Sequence, residues 1–280
     1  MKSKLLYIVG LGHNGSTLLD LLLGASPDAF STSQLNDLLA PWSPKGDGKK
    51  DVFWRSVLAS LGDEGENLSK ENQSVILEKR ILSMLFSKRS RGLYWEVNRE
   101  LLNVLMNKVG KKVIVDSSKN VCRALGLIEG GQEIYMLHLV RDLRSYVNSY
   151  NMRQDEMNEK KKYLYPTLQW YLKNILSSTF VKWRAAHYKY VKYEDFISDP
   201  TSTIREIGRF CDVDLSETIN VIENGMAINP SERMTFRGNR ILNKTDVVFN
   251  PKASRRDGVF QSNLFWWTLG WPSMLWGYKK

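Results

Sequence analysis

A glycine-rich loop near the N-terminus is the first place where residue types and spacing could do chemistry. The stretch YIVGLGHNGSTLLDLLLG, residues 7–24, carries an apolar strand into Gly10, Gly12 and Gly15, after which Ser16 and Thr17 open a leucine-rich helix. Glycines allow tight turning and close backbone approach, consecutive amides can face one concavity, and a helix N-terminus adds partial positive charge. Such a loop suits a phosphate, with Gly12, His13, Asn14, Gly15, Ser16 and Thr17 as candidate contacts. A plain strand-to-helix turn with Ser as N-cap would read the same way locally. A Walker A loop is excluded, because Gly15 stands where that motif needs lysine.

Two further segments carry charge at strand ends. In IYMLHLVRDLRSYVNSYNMRQ, residues 134–154, an apolar strand ends at Val140, and Arg141 and Asp142 begin a helix bearing Arg144, Ser149 and Arg153. Ser149 and Arg153 are four residues apart and share a helical face. A guanidinium suits phosphate because its planar fork bonds two oxygens at once. The competing reading is an Arg141–Asp142 surface ion pair that caps the helix. His138, inside the strand, reads as a packed core histidine. In IVDSSKNVCRAL, residues 114–125, Asp116, Ser117, Ser118 and Lys119 fall where a strand enters a helix.

These segments together resemble the PAPS-dependent sulfotransferases, in particular bacterial, tyrosyl-protein and carbohydrate members. The loop is similar to that family's 5′-phosphosulfate loop, G-x-x-[RK]-[ST]-G-[ST]-T, with His13 where the family has Arg or Lys and Asn14 where it has Ser. An unperturbed histidine titrates near ~6.5, and a neighbouring phosphate favours its charged form. The resemblance implies 3′-phosphoadenosine 5′-phosphosulfate (PAPS) as sulfuryl donor, its bisphosphate (PAP) as product, and no metal. It implies that Arg141 and Ser149 share the donor's 3′-phosphate, with Arg153 beside them. It also implies that Ser117 and Ser118 donate hydrogen bonds while Lys119 stabilises the leaving group; an ordinary exposed helix lysine is the alternative. YVKYEDFISDPTSTIREIGRFCDVDL, residues 190–215, resembles a further family segment whose tyrosine lies at the nucleotide; Tyr193 matches it, or is a core tyrosine. Asp199 and Pro200 form a helix start and read as structural. FRGNRILN, residues 236–243, resembles the loop that closes over the 3′-phosphate, through Arg237, Gly238 and Asn239, with Arg240 as an alternative to Arg237. The likeness runs from residue 5 to about 245, with 40–110 matching by position alone.

Sulfuryl transfer, like phosphoryl transfer, needs an in-line acceptor, charge stabilisation on the leaving phosphate and a base for the acceptor's proton. Many relatives carry a Glu downstream of the loop. That register here gives Ser33, Gln34 and Leu35, so an amide occupies the Glu position, and an amide takes no proton at neutral pH. Three explanations stand. Gln34 orients the acceptor while Asp37, Glu96 or a histidine (His13 among them) is the base, with Asp37 nearest in sequence. Or the acceptor is acidic enough to need little base. Or Gln34 replaces a natural Glu. A kinase would want a loop lysine and magnesium-binding carboxylates; a non-catalytic nucleotide-binding module would fit the missing Glu. Both stay as alternatives.

These groups need a scaffold. Leu5–Val9, Lys112–Val115, Glu133–Val140 and Tyr188–Tyr193 read as strands, alternating with helical spacing at Leu18, Leu19, Leu22 and Leu23 and at Leu168, Leu172, Ile175, Leu176 and Trp183. That alternation predicts an α/β fold with a P-loop-like central parallel sheet flanked by helices, the sulfotransferase fold. We expect one domain over 1–280, with a helical acceptor-side insertion at about 41–110. Residues 41–110 and 155–170 are the expected acceptor walls, for a small molecule or carbohydrate, and Lys160–Lys162 either attracts an anionic acceptor or ends a solvated helix.

Composition bounds the rest. With 280 residues, 42% hydrophobic, the chain can bury a full core. Its +10 charge suits a polyanionic ligand, but zinc-ligand spacing, RNP-like aromatics and long basic tracts are missing, which argues against nucleic acid. Cys122 and Cys211 read as buried thiols of a reducing compartment, hence a cytoplasmic protein. Leu5–Val9 is too short for a signal peptide core, and no run reaches the ~18 apolar residues of a spanning helix. Leu264–Trp276, interrupted by Gly270 and Pro272, is expected to pack on the sheet, with peripheral membrane contact as its other use. The sequence sets no oligomeric state.

Overall fold

The computed structural model describes residues 4–39, 48–62, 80–157, 160, 162–229, 234–235, 242, 244–249 and 263–279. Five parallel strands form its centre: β1 (Lys4–Gly10), β2 (Ala29–Ser33), β3 (Val113–Lys119), β4 (Ile134–Val140) and β5 (His187–Lys192), in the order β2-β3-β1-β4-β5. β1 and β4 are buried along nearly their whole length, as strands covered on both faces must be.

Alternation along β1 divides the core. Leu5, Tyr7 and Val9 point to one face and Leu6 and Ile8 to the other. The first face is covered by α2 (Lys49–Ala59), α3 (Ile81–Phe86), α4 (Lys88–Val109) and α5 (Val121–Leu127), through Trp54, Met84, Tyr94 and Leu101 among others. The helices expected between 41 and 110 therefore roof one side of the sheet. The second face packs on α1 (Ser16–Leu23), α8 (Tyr193–Ser198) and α9 (Pro200–Cys211). Asp199 caps α9 by accepting from the Ser202 amide at 2.9 Å, with Pro200 at the first helical position. Cys122 and Cys211 are both buried, and neither is in a disulfide.

Between β4 and β5 lie α6 (Leu143–Glu156) and α7 (Leu164–Leu176), the latter continuing through a π turn, Ser177–Val181, to Arg184. A short C-terminal segment, Asn263–Trp276, packs on α7: Trp170 meets Trp276 edge-on at 5.0 Å, and the Tyr171 hydroxyl donates to the Leu269 carbonyl at 2.6 Å.

Sequence and structure part at two strands. β2, AFSTS, has no apolar run to betray it; two of its polar side chains are satisfied inside, Ser31 donating to Asp20 at 2.5 Å and Thr32 to the Val115 carbonyl at 2.9 Å, while the buried Ser33 hydroxyl has no partner among the described residues. And Tyr193, read as the end of a strand, is the first residue of α8.

Candidate functional site

The C-terminal ends of the parallel strands meet along one edge of the sheet, and β1 lies where the chain direction switches, between β3 and β4. Ligands of open α/β sheets sit at that switch point. The glycine loop after β1 and Arg141 after β4 occupy it.

The loop is fastened from below. Asn14 donates from its side-chain amide to the Leu139 carbonyl at 2.9 Å and accepts the Ser16 amide at 3.1 Å. Its side chain is thus committed to the fold, which leaves its backbone amide for an anion. Gly15 has φ 88°, and a Cβ there would collide with the Tyr193 ring, so glycine is required on both counts. Gly12 is exposed at the loop crest, whereas Ser16 and Thr17 open α1 as buried residues. His13 has φ 62° and sets its ring edge-on to Tyr146 and Tyr150 of α6.

Arg141 ties the two phosphate signatures together. It donates from Nη1 to the His13 carbonyl at 2.9 Å, and its guanidinium lies 4.7 Å over the Tyr193 ring. Its buried Nε has no hydrogen-bond partner among the described residues. The expected rival, an Arg141–Asp142 pair, does not form. Asp142 instead pairs with Arg144 at 2.8 Å and caps α6 by accepting the Arg144 amide at 2.7 Å. Trp170 of α7 holds the Arg141 carbonyl at 2.9 Å. Ser149 and Arg153 lie on the α6 stripe that begins with Tyr146 and Tyr150; Ser149 is half-buried and Arg153 exposed.

The ends of β2 and β3 form the other half. Asp116 is locked in a buried pair with Arg123, which donates from Nε at 2.9 Å and also binds Tyr94 and Asn98 at 2.9 and 2.7 Å. Ser118 donates to Asp116 and accepts the Asn36 amide at 3.1 Å, so its hydroxyl proton is taken. Ser117 differs: its buried hydroxyl has no partner among the described residues. Lys119 ends β3 with φ 64°. Burial holds its ammonium below the usual lysine range, against the pull of Asp20, Asp37 and Asp116, while Lys173 of α7 pushes the same way as burial. Lys119 is thus a half-buried lysine at a strand end, not an exposed helix lysine.

Gln34 follows Ser33, which has φ 59°, and its carbonyl accepts the Asp37 amide at 3.0 Å in the turn Leu35–Leu39. Asp37 is half-buried and near enough to Lys119 to act on its charge. Sequence reasoning missed Asp20, whose carboxyl is pushed up to about 7, chiefly by burial. A lone acid inside STLLDLLL was the available signal. His138 is the core histidine expected: it donates from Nε2 to Asn174 at 2.9 Å, accepts from Tyr188 at 2.6 Å, and burial pushes its pKa down to about 4. Arg237, Gly238, Asn239 and Arg240 lie outside the described residues. Among the described residues no group of three His, Cys, Asp or Glu side chains is gathered as for a metal ion.

The residues present fit a phosphate-bearing donor. The unpartnered Ser117 hydroxyl and Arg141 Nε sit at the two strand ends that flank the loop, and both can donate.

Comparison with known proteins gives the same direction. Residues 6–217 match the profile of the Sulfotransferase family. No curated protein matches the chain. Among solved structures, the sulfotransferase domain of the Synechococcus PCC 7002 olefin synthase is 19% identical at TM-score 0.54, covering 100% of this chain and 97% of that one. The sulfotransferase domain from the curacin biosynthetic pathway is 13% identical at TM-score 0.53, covering 100% and 99%. Sulfotransferase STF9 from Mycobacterium avium is 15% identical at TM-score 0.52, covering 79% and 67%. At such identities the likeness is one of fold.

Proposed function

We propose that this chain, which belongs to the sulfotransferase family, transfers a sulfuryl group from 3′-phosphoadenosine 5′-phosphosulfate to a hydroxyl or amine of a glycan or small-molecule acceptor. The observation that carries this is Arg141 on the His13 carbonyl and the Tyr193 ring, which makes the loop and the second phosphate-reading segment one site. The donor supplies an activated sulfuryl group on a phosphate leaving group. The loop amides, Ser16 and Thr17 hold the 5′ end, while Arg141, Ser149 and Arg153 hold the 3′-phosphate. Ser117 and Lys119 balance the charge that develops on the leaving oxygen. Asp37 takes the acceptor's proton, and Gln34 orients the acceptor beside it. We treat 1–280 as one domain, with its acceptor wall in the 41–110 insertion, and place it in the cytoplasm, where the thiols of Cys122 and Cys211, in no disulfide, stay reduced.

Calorimetry tests the donor. Adenosine 3′,5′-bisphosphate should bind and ATP with magnesium should not; the reverse result makes the chain a kinase, whose loop would need the lysine that Gly15 replaces. Sulfated product in a mass-spectrometric acceptor screen separates an enzyme from a binding module.

A further inference from the structure

α7 buries Trp170 on its inner side yet turns a leucine stripe to solvent. Leu164, Leu168, Leu172 and Ile175 recur at helical spacing and all face solvent, Leu168 and Leu172 being 57% and 58% exposed. Thr167, Asn174 and Ser177 are buried on the other side. The leucine stripe therefore contributes nothing to holding the helix on the sheet. The C-terminal segment packed on α7 behaves alike, leaving Trp267, Trp271 and Leu275 in solvent. The Tyr171–Leu269 hydrogen bond and the Trp170–Trp276 contact make the two surfaces adjoin. An exposed apolar area of this kind marks an interaction site.

The charge around it says what covers it. From Lys160 to Tyr193 the chain has eight basic residues and no acidic one, and from Gly258 to Lys280 two lysines and no acidic one, in a protein with 30 acidic residues. Lys162, Lys182 and Lys279 are exposed, and the Arg184 guanidinium lies 4.9 Å over the exposed Trp183 ring. A second copy would set cations against cations. Of these cations Lys189 pairs with Glu206; exposed leucines and tryptophans with the exposed Lys162, Lys182 and Lys279 close to them in the chain match the headgroup layer of an anionic bilayer.

We propose that this face docks the protein on an anionic lipid surface. It lies on the bilayer, since among the described residues no helix is long and apolar enough to cross one. Docking is independent of the sulfuryl-transfer reading.

Cosedimentation of the full chain with phosphatidylcholine vesicles, with and without phosphatidylglycerol, tests it. Pelleting is expected with the anionic vesicles alone, falling as salt rises. Leu168→Gln with Leu172→Gln should abolish it, and Lys182→Gln or Lys279→Gln should weaken it by about a factor of five each. Circular dichroism and a cooperative thermal melt report that these variants are folded; should the double variant not fold, Trp271→Gln with Lys279→Gln takes its place. No pelleting, or equal pelleting with both vesicles, overturns the proposal. So does light scattering that shows a dimer which the leucine variant splits, because the face would then meet a second copy. Vesicle binding without bisphosphate binding would leave docking standing and remove the donor assignment.

Discussion

The two halves of the site are built in different ways. On the side of β1, β4 and β5, the loop, Arg141 and Tyr193 are joined by direct contacts: Asn14 to Leu139, Arg141 to His13, Arg141 over Tyr193. On the side of β2 and β3, opposed charges meet where buried Asp20 and Asp116 lie near half-buried Lys119 and Asp37. Asp20, Asp37 and Asp116 pull on a Lys119 that burial and Lys173 push towards neutrality, and Ser33 and Lys119 both hold left-handed backbone. The first half has the character of a binding cradle, fixed by direct contacts that leave the buried Arg141 Nε to donate. The second holds proton-bearing groups away from their ordinary ranges, as sites that move protons do.

That contrast can be broken. Asp37→Asn should lower turnover by about 10²–10⁴-fold, the range for a lost general base, while bisphosphate affinity in calorimetry stays as in the wild type. Unchanged turnover removes Asp37 as base, and Gln34→Glu then asks whether a carboxylate at that position raises the rate. Arg141→Ala should do the opposite. Losing charge-assisted bonds to phosphate should cost roughly 10²-fold in bisphosphate affinity, and normal binding by this variant ends the donor assignment.

A third test lies beneath Lys119. The Asp20 carboxyl is pushed from 3.8 to about 7 in the folded protein. Below that window it is protonated in both states; within it, only the folded state keeps the proton, so stability falls as pH rises and levels off above. Asp20→Asn should remove this slope, so thermal melts should show the variant gaining a few degrees over wild type above pH ~7 compared with pH ~4. Equal pH dependence in both proteins shows that Asp20 is not the titrating group. The smallest effect belongs to Tyr193→Leu, where the lost ring beneath Arg141 should weaken bisphosphate binding by about two- to fivefold; a full loss would mean that Tyr193 holds the loop itself.

What could be read in the sequence follows the same division. A loop that binds through its backbone is written in consecutive residues, so Gly10–Thr17 and the strand before it were legible, as was the apolar run of β4 ending at Arg141. Groups assembled from distant segments were not. Ser118 looked like a donor until Asp116 and Asn36 engaged its hydroxyl, and nothing local announced that Arg123 closes over Asp116. β2 escaped because Ser31 and Thr32 are satisfied by tertiary partners that no local pattern announces. The leucines of α7 announced a helix correctly, but their spacing did not say which side faces the protein.

Asn14 has a consequence for the kinetics of encounter. Its side chain ties the loop to the strand that ends in Arg141, so both anchors are placed before any nucleotide arrives and move as one piece. Little conformational freedom is left to lose on binding. The amides of Ser16, Leu18 and Leu19, bonded to Asn14 Oδ1 and the Gly15 carbonyl, should exchange with deuterated solvent slowly even without ligand, and the association rate should be set by diffusion and charge, with no slow loop-ordering phase.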